Sequence, residues 1–212
     1  MAIGLFGGTF DPVHMAHLRI AEEVREAFSL ERIYFVPAWV QPLKRTQTAA
    51  DAADRVRMLE MATRGNGLFR TSKVEIRRGG LSYSIDTVKI FSRRFDDIYF
   101  MVGLDAFYDI GLWKGCDELF RRANFVVMVR PGRHMEGFPE VLKGQVNPID
   151  ESCWEHSSGR RIYLLRVTQL DVSSRRIREL SKGGKSIRYL VPRQVERYIT
   201  ERGLYSESGD TR

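Results

Sequence analysis

The chain contains 212 residues, of which 43% are hydrophobic and 29% charged, and its formal net charge at pH 7 is +7. This composition is ordinary for a globular protein, and the length fits one domain, which we expect to span residues 1–205 with a flexible tail at 206–212. We expect no membrane partner, because no stretch approaches the roughly 18 uninterrupted apolar residues of a membrane helix.

The cysteines, the N-terminus and the positive charge narrow the class of protein further. Two cysteines are too few for a disulfide framework, and no secretory leader is evident, so we expect a cytoplasmic protein with reduced thiols. The basic charge suggests a polyanionic partner. Because the arginine pairs are scattered, we expect a small polyanion and no nucleic acid; they lie at 77–78, 93–94, 121–122, 160–161 and 175–176.

Short apolar runs alternate with segments of helical periodicity along the chain. Runs rich in Val, Ile, Phe and Tyr predict buried strands at 2–6, 32–36, 97–102, 124–129 and 162–167. Helices are predicted at about 14–28, 52–63, 84–94, 174–181 and 192–202. This order predicts a three-layer α/β/α sandwich with a mostly parallel, Rossmann-like sheet, which binds ligands at the carboxyl ends of its strands.

The first strand leads into Gly-Gly and then into two histidines at the start of a helix. Gly7 and Gly8 suit a turn with dihedral angles closed to other residues, and a helix N-terminus attracts anions. His14 and His17 are three residues apart and therefore lie on one face of the first turn. The pattern favours phosphate binding. An ordinary turn, a structural histidine pair and half a zinc site are the alternatives, the last weakened by the scarcity of other ligands.

Two segments are predicted as long connections. Residues 37–51 carry two prolines, an aromatic side chain and two cations, which is compatible with a substrate flap. Residues 131–160 are polar and long for a connection in a compact domain, and we interpret them as a variable insertion without function.

Two further sequences place small or acidic residues at predicted strand or helix ends. Residues 79–87 put Gly-Gly before a Ser-capped helix, which is another candidate anion site. Asp105 follows the strand at 97–102, where a carboxylate often binds ribose hydroxyls, although it also suits a helix cap.

A second candidate phosphate-binding helix starts near the carboxyl end, at residues 171–178. Ser173 and Ser174 are favoured N-cap residues, and Arg178 follows one turn into the predicted helix. The serine hydroxyls and the guanidinium are donors for phosphate oxygens. A routine serine cap with surface arginines explains this segment equally well when it is taken alone.

The two terminal motifs together resemble one known family. The first motif is Gly7-Gly8-Thr9-Phe10-Asp11-Pro12-Val13-His14-Met15-Ala16-His17. It resembles the GGTFDPxHxGH signature of the nucleotidyltransferase superfamily, and its residues are most similar to those of the bacterial nicotinate-nucleotide adenylyltransferases. Residues 171–178 resemble the ISSTxIR motif of the same enzymes. Ala16 stands where the family has Gly, and Arg175 where it has Thr.

The resemblance extends to weaker matches that lie between these motifs in the expected order. Residues 37–44 are similar to a Pro-rich loop in which a cation, here Lys44, meets the ATP phosphates. Residues 79–87 resemble GGxSYTxDT, with Ser84 in place of Thr, which implies contact with the pyridine nucleotide. Gly103 and Asp105 match a GxD motif near the adenosine.

Two matches after the GxD motif complete the resemblance. Trp113 resembles a tryptophan that stacks on the nicotinate ring, and otherwise suits a half-buried core position. Arg130 resembles the first residue of an Arg-Pro pair and is expected to reach ATP; its alternative role is a surface charge at a strand end.

The resemblance implies transfer of the adenylyl group from ATP to the 5′-phosphate of nicotinate mononucleotide, with Mg²⁺ carried by ATP and no metal held by the protein. It implies the catalytic residues His14, His17, Lys44 and Arg178. The implied ATP-binding residues are Gly7, Gly8, Thr9, Phe10, His14, His17, Lys44, Gly103, Asp105, Arg130, Ser173, Ser174 and Arg178. The implied acceptor-binding residues are Tyr83, Ser84 and Trp113.

Three alternatives remain open at this point. Phosphopantetheine adenylyltransferases share both terminal motifs but leave Tyr83, Ser84 and Trp113 without a use. Cytidylyltransferases are a third choice within the superfamily. A non-enzymatic regulator that binds a dinucleotide comes from a different class. The preference for the acid or the amide form of the pyridine nucleotide and the oligomeric state do not follow from the sequence.

Overall fold

The computed structural model describes residues 1–43 and 48–206. The strands are β1 (Ala2–Gly8), β2 (Arg32–Pro37), β3 (Phe69–Thr71), β4 (Asp97–Gly103), β5 (Asn124–Val129), β6 (Val146–Pro148), β7 (Cys153–His156) and β8 (Arg161–Arg166). The α-helices are α1 (Met15–Ala27), α2 (Ala52–Thr63), α3 (Val74–Arg78), α4 (Ser84–Phe91), α5 (Leu104–Tyr108), α6 (Cys116–Arg122), α7 (Ser174–Lys182) and α8 (Arg193–Glu201). Short 3₁₀ turns occupy Asp109–Leu112 and Glu140–Leu142.

The described strands form one sheet in the order β3-β2-β1-β4-β5-β8-β7-β6. Strands β1 to β5 and β8 run parallel to one another, and β6 and β7 add a hairpin whose strand β7 pairs antiparallel with β8. From β1 the chain proceeds to β2 and β3 on one side, and then crosses to β4 on the other. The carboxyl ends of β1 and β4 therefore flank the point where strand order reverses, which is where such sheets bind ligands.

The side chains of the central strands alternate between two hydrophobic cores, one on each face of the sheet. In β5, Phe125 and Val127 belong to the core beneath α4, α5 and α6, whereas Val126 and Met128 belong to the core beneath α1, α2, α7 and α8. All four side chains are buried because both faces of the sheet are covered. The predicted three-layer α/β/α sandwich with a mostly parallel sheet is confirmed.

All five predicted strands and all five predicted helices are present, with ends shifted by up to three residues. The elements β3, α3, α5 and α6 were not predicted, because each has seven residues or fewer and is too short for a periodic signal. The prediction that residues 131–160 form one long connection was wrong, because this segment contains β6 and β7, while its interpretation as an insertion without function stays a prediction. Phe138 packs edge-on against Trp154 within it, with ring centroids 5.2 Å apart.

Two further expectations concerned a carboxyl-terminal tail and a membrane helix. Residues 207–212 lie outside the described residues, so the division into residues 1–205 and a tail stays a prediction. None of the helices within residues 1–43 and 48–206 combines the length and the apolar composition that a bilayer span requires.

Phe125 is the side chain whose loss tests this core most directly. It is fully buried, and its ring centroid lies 4.3 Å from that of Phe120. We expect Phe125→Ala to lower the free energy of unfolding by about 3–5 kcal/mol, because it leaves a cavity in close-packed surroundings. Denaturant unfolding measures the change. Ile149→Ala is the control, since Ile149 is 49% exposed and its loss should change stability by about 0.5 kcal/mol or less.

Candidate active site

The two glycines that end β1 have different reasons to lack a side chain. Gly7 pairs with Val36 and Gly8 with Pro37 in regular parallel register, and neither has a positive φ. A Cβ on Gly8 would lie 3.0 Å from the ring of Phe10, whereas a Cβ on Gly7 would point into open space. The expectation of dihedral angles closed to other residues was wrong for both, because the strand continues through them. Gly7 instead leaves room for a ligand at the end of β1.

The unusual backbone conformation of the turn belongs to Phe10, with φ of 50°. Its ring is buried and packs edge-on against Phe6, Phe35 and His17. Because a bulky residue rarely adopts the left-handed region, these aromatic contacts must hold it there. Phe10 therefore sets the direction in which the chain leaves the sheet toward α1.

A buried arginine that the sequence analysis missed braces this turn. The Arg55 Nη1 group donates hydrogen bonds to the carbonyl of Thr9 at 2.8 Å and to the carbonyl of Ala38 at 2.7 Å. It thereby joins the chain just after β1 to the chain just after β2. Arg55 is only 1% exposed, so its guanidinium is a structural part of the turn and not a surface charge.

His14 and His17 stack on each other at the start of α1. Their ring centroids are 3.7 Å apart and the ring planes differ by 23°. His14 is the N-cap residue of α1 in an extended conformation, and its backbone N–H donates to Nδ1 of His17 at 3.2 Å. A nitrogen that accepts a hydrogen bond carries no proton, so the neutral His17 ring carries its proton on Nε2 as a donor.

Both imidazoles favour the neutral form. Burial, and secondarily the positive charge of Arg130, lower the pKa of His14 to about 4. Burial, and secondarily the neighbouring His14, lower the pKa of His17 well below its usual value. Among the described residues the buried His14 Nδ1 has no hydrogen-bond partner, which is unusual for a buried polar atom. The pair can donate hydrogen bonds at neutral pH without adding a charge.

The start of α7 lies against the same turn. Ser173 is the N-cap of α7, and its hydroxyl accepts from the N–H of Arg176 at 3.2 Å. Ser174 Oγ donates to the carbonyl of Pro12 at 2.8 Å, and Arg178 Nη1 donates to the carbonyl of Asp11 at 2.6 Å. The structure therefore brings together the two helix starts that lie near opposite ends of the chain.

Of the three predicted cations, Arg178 and Arg130 lie near the meeting point of the two helix starts. Residues 9–14, which connect β1 to α1, are called the histidine turn below. The Arg178 side chain is 33% exposed, so part of it faces solvent beside this turn. Arg130 is exposed directly after β5, close enough to His14 to lower its pKa. Lys44 lies outside the described residues. The first N–H of α1, that of Met15, is taken by the carbonyl of Leu190 at 2.9 Å, so this helix offers fewer free donors than expected.

A cavity of about 570 Å³ opens beside the turn, between the ends of β1 and β4. Gly7 and Gly8 form one wall and Gly103 another. The remaining lining comes from β1 and β4, from the segment after β2, from the start of α4, and from α5 and residues 109–114. It consists of Phe6, Ala38, Gln41, Pro42, Leu43, Ser82, Tyr83, Ser84, Phe100, Met101, Val102, Ala106, Asp109, Leu112, Trp113 and Lys114.

The three predicted acceptor-binding residues all line this cavity. Tyr83 and Ser84 lie at the start of α4, and both are partly exposed. Trp113 packs edge-on against Phe100 at 6.0 Å between ring centroids and remains partly exposed. The ammonium of Lys114 lies 4.4 Å from the ring centroid of Tyr83. A cation held on an aromatic face at the cavity wall favours an anionic ligand.

The GxD motif is divided between the cavity and the surface. Gly103 ends β4, lines the cavity and is the N-cap residue of α5, so the alternative of an Asp105 cap does not apply. Asp105 lies in the first turn of α5 with its side chain 88% exposed. It pairs with Arg133 at 2.9 Å and does not line the cavity.

A buried carboxylate that the sequence analysis missed supports the start of α4. Glu75 accepts a hydrogen bond from the hydroxyl of Thr87 at 2.5 Å, and burial raises its pKa. Ser82 accepts from the backbone N–H of Trp39 at 2.8 Å and also bonds Glu75. These contacts tie the segment after β2 to the start of α4, and both segments line the cavity.

The part of the chain that the structure describes contains no candidate metal site. No group of three or more His, Cys, Asp or Glu side chains lies there in an arrangement that could hold an ion.

The chain matches a known family over most of its length. A family model described as cytidylyltransferase-like matches residues 5–180. A "probable nicotinate-nucleotide adenylyltransferase" of Geotalea uraniireducens (strain Rf4) is 44% identical over 217 residues, which cover 98% of this chain and 100% of that protein. A protein of the same description from Geobacter sulfurreducens is 42% identical, with 99% and 100% covered.

Solved structures share the fold at lower sequence identity. Plasmodium falciparum nicotinic acid mononucleotide adenylyltransferase complexed with NaAD superimposes with a TM-score of 0.72, covering 96% of this chain and 97% of that one at 18% identity. The same enzyme complexed with APC gives a TM-score of 0.68, with 96% of each chain covered and 18% identity. These matches support the fold assignment.

The lowered pKa of His14 makes stability depend on pH in a defined direction. Between the usual value of 6.5 and about 4, the unfolded chain binds a proton at this residue that the folded chain excludes. We therefore expect the free energy of unfolding to fall as the pH falls through this range, by an amount of the order of 3 kcal/mol for His14.

Urea unfolding at several pH values between about 4 and 7 measures this slope. His14→Asn should flatten it, whereas His134→Asn, which removes a ring exposed to solvent, serves as the control. Equal slopes for the wild type and His14→Asn would contradict the burial of a neutral imidazole.

Proposed function

Because the chain belongs to the cytidylyltransferase-like family and to the nicotinate-nucleotide adenylyltransferases within it, we propose that it transfers the adenylyl group of ATP to the 5′-phosphate of nicotinate mononucleotide. The products are deamido-NAD and pyrophosphate, and the reaction belongs to NAD biosynthesis. The observation that carries this proposal is the meeting of the α1 and α7 starts beside a cavity at the carboxyl ends of β1 and β4.

The reaction needs positioning and charge neutralisation more than it needs a base. The attacking oxygen belongs to a phosphate and is already anionic, so no side chain has to remove a proton from it. The transfer passes in line through phosphorus, and the enzyme lowers the barrier by aligning both partners and stabilising the equatorial oxygens. We assign this task to His14 and His17, whose neutral rings can donate hydrogen bonds.

The leaving pyrophosphate carries negative charge away from the reacting phosphorus. We assign its stabilisation to Ser173, Ser174 and Arg178 at the start of α7 and to Lys44. Arg178 suits this role because a guanidinium has five N–H donors, and the bond to the Asp11 carbonyl uses only part of that capacity. Arg130 adds a further positive charge near His14.

The backbone of Gly7, Gly8, Thr9 and Phe10 forms the floor for the nucleotide in this proposal. The open space above Gly7 supports it, since a close approach of phosphate to backbone needs a position without a side chain. We place the adenosine ribose near Gly103 and Asp105, which requires the exposed ion pair between Asp105 and Arg133 to open. The nucleotide substrate is Mg·ATP, with the ion carried mainly by phosphate oxygens.

The cavity is the proposed acceptor site. Its volume of about 570 Å³ lies in the range of small-molecule pockets. Trp113 offers a ring for stacking on the nicotinate, and Tyr83 and Ser84 offer polar groups at the start of α4. Lys114 adds positive charge for a doubly anionic acceptor. We further propose a cytoplasmic location, where the two free cysteines would stay reduced.

Release of pyrophosphate with different acceptors tests the proposal and separates its rivals. The purified chain is incubated with Mg·ATP and nicotinate mononucleotide, nicotinamide mononucleotide or phosphopantetheine, and a parallel series uses CTP. We expect turnover with ATP and nicotinate mononucleotide. Turnover with phosphopantetheine alone, or with CTP alone, would overturn the proposal. No release with any acceptor, together with salt-sensitive retention on DNA, would favour a regulator.

His17→Ala should lower kcat by at least about 100-fold, because it removes a donor aimed at the developing charge. The fold should survive, since the ring contacts the aromatic core only edge-on, through Phe6 and Phe10. Steady-state kinetics and far-ultraviolet circular dichroism measure the two effects. Near-normal kcat in the folded variant would contradict the role assigned to His17.

Trp113→Ala should weaken binding of the acceptor and leave binding of ATP unchanged. We expect KM for nicotinate mononucleotide to rise by about 10-fold, which corresponds to a stacking contact of about 1.4 kcal/mol, while KM for ATP stays within about twofold. Trp154→Ala removes a tryptophan that packs on Phe138, away from the cavity, and is the matched control. An equal rise in both KM values would show that Trp113 supports the fold and does not stack on the acceptor.

A further inference from the structure

The penultimate described residue of the chain bonds directly to the histidine turn. Tyr205 donates a hydrogen bond from its hydroxyl to Oδ1 of Asp11 at 2.7 Å, across 194 positions of sequence. Asp11 is only 4% exposed, and Tyr205 adopts a left-handed conformation with φ of 64°. An unusual backbone conformation that delivers a side chain to a buried carboxylate needs an explanation.

Asp11 is a junction for three separate segments. Its Oδ2 accepts from the backbone N–H of Ala49 at 2.8 Å, and its Oδ1 accepts from that of Ala50 at 3.2 Å as well as from Tyr205. Its carbonyl accepts from Arg178. One residue therefore joins the histidine turn to the chain that precedes α2, to α7 and to the carboxyl-terminal segment.

The charges around Asp11 keep Tyr205 a donor. Burial, and then the negative charge of Asp11, raise the pKa of the Tyr205 hydroxyl far above its usual value, so the phenol stays protonated. Arg178 Nη1 lies 4.0 Å from Oδ2 of Asp11, and the charge of Arg55 also acts on this carboxylate. A buried carboxylate with several donors in fixed directions holds its own backbone in one conformation.

We propose that Tyr205 is a positioning residue for adenylyl transfer: its hydroxyl holds Asp11, and through Asp11 the backbone that places Phe10 and His14. This inference rests on the proposed function, because the turn that Asp11 holds is the turn assigned to ATP. Tyr205 does not touch the reacting groups. Its loss should therefore change the alignment of ATP more than the binding of the acceptor.

The chain supplies a matched control for this bond. Tyr198 on α8 donates to Oδ1 of Asp54 at 2.7 Å, the same pair of groups at the same distance. Asp54 lies on α2 and is not part of the histidine turn. Tyr205→Phe and Tyr198→Phe therefore each remove one hydroxyl bond to a carboxylate and keep the ring, and only the first loosens Asp11.

The test compares the wild type, Tyr205→Phe and Tyr198→Phe in steady-state kinetics and in amide hydrogen exchange. For Tyr205→Phe we expect kcat to fall about tenfold with KM for nicotinate mononucleotide unchanged, since small misplacements of reacting groups reduce rates strongly. Amide exchange over residues 9–14 should become faster. For Tyr198→Phe we expect kcat within twofold of the wild type and unchanged exchange over residues 9–14.

Each outcome supports or overturns the inference. Wild-type kcat in Tyr205→Phe, or equal losses in both variants, overturns it. So does unchanged exchange over residues 9–14 in Tyr205→Phe. If the wild type does not turn over nicotinate mononucleotide, the proposed function fails and so does a role in adenylyl transfer. The exchange measurement then reports separately on whether Tyr205 holds the turn.

Discussion

The arrangement of this protein depends on the parallel pairing of β1 with a strand on each of its edges. β1 pairs with β2 from Ile3 to Gly8 and with β4 from Ala2 to Phe6. Its carboxyl end therefore cannot shift without breaking the centre of the sheet. Because β2 and β4 run in the same direction, their carboxyl ends open at the same edge. The cavity and the histidine turn are consequences of that pairing, since both begin where β1 ends.

Around this edge the protein combines neutral donors with cations that are fixed by the backbone. The two imidazoles lie against a buried aromatic cluster, which makes the charged form costly and lowers both pKa values. Arg178 is bonded to a main-chain carbonyl of the turn, so its guanidinium is not free to swing as a surface arginine would, and the buried Arg55 braces the same turn from within. An anionic ligand would meet donors that are already oriented, which reduces the reorganisation that binding requires.

The residues that line the candidate site could be predicted from the sequence better than the residues that support it. Tyr83, Ser84 and Trp113 line the cavity, and Ser174 and Arg178 of the second motif bond Pro12 and Asp11 of the first. Gly7 and Gly8 were predicted to form a turn because Gly-Gly is common in turns, but the pairing of β1 with β2 continues as far as Gly8. The bracing residues were missed because an isolated Asp, Arg or Tyr carries no periodic signal. Lys44 stays a prediction, since it lies outside the described residues.

Local patterns determined the order of strands and helices, the Ser173 cap and the positions of the two histidines, because periodicity and capping depend on neighbours in the chain. Tertiary structure alone decided that Tyr205 reaches Asp11, that Arg55 is buried beneath Thr9, and that the imidazoles are neutral. Burial and long-range hydrogen bonds arise only when distant segments pack together, and no stretch of sequence near either partner records them.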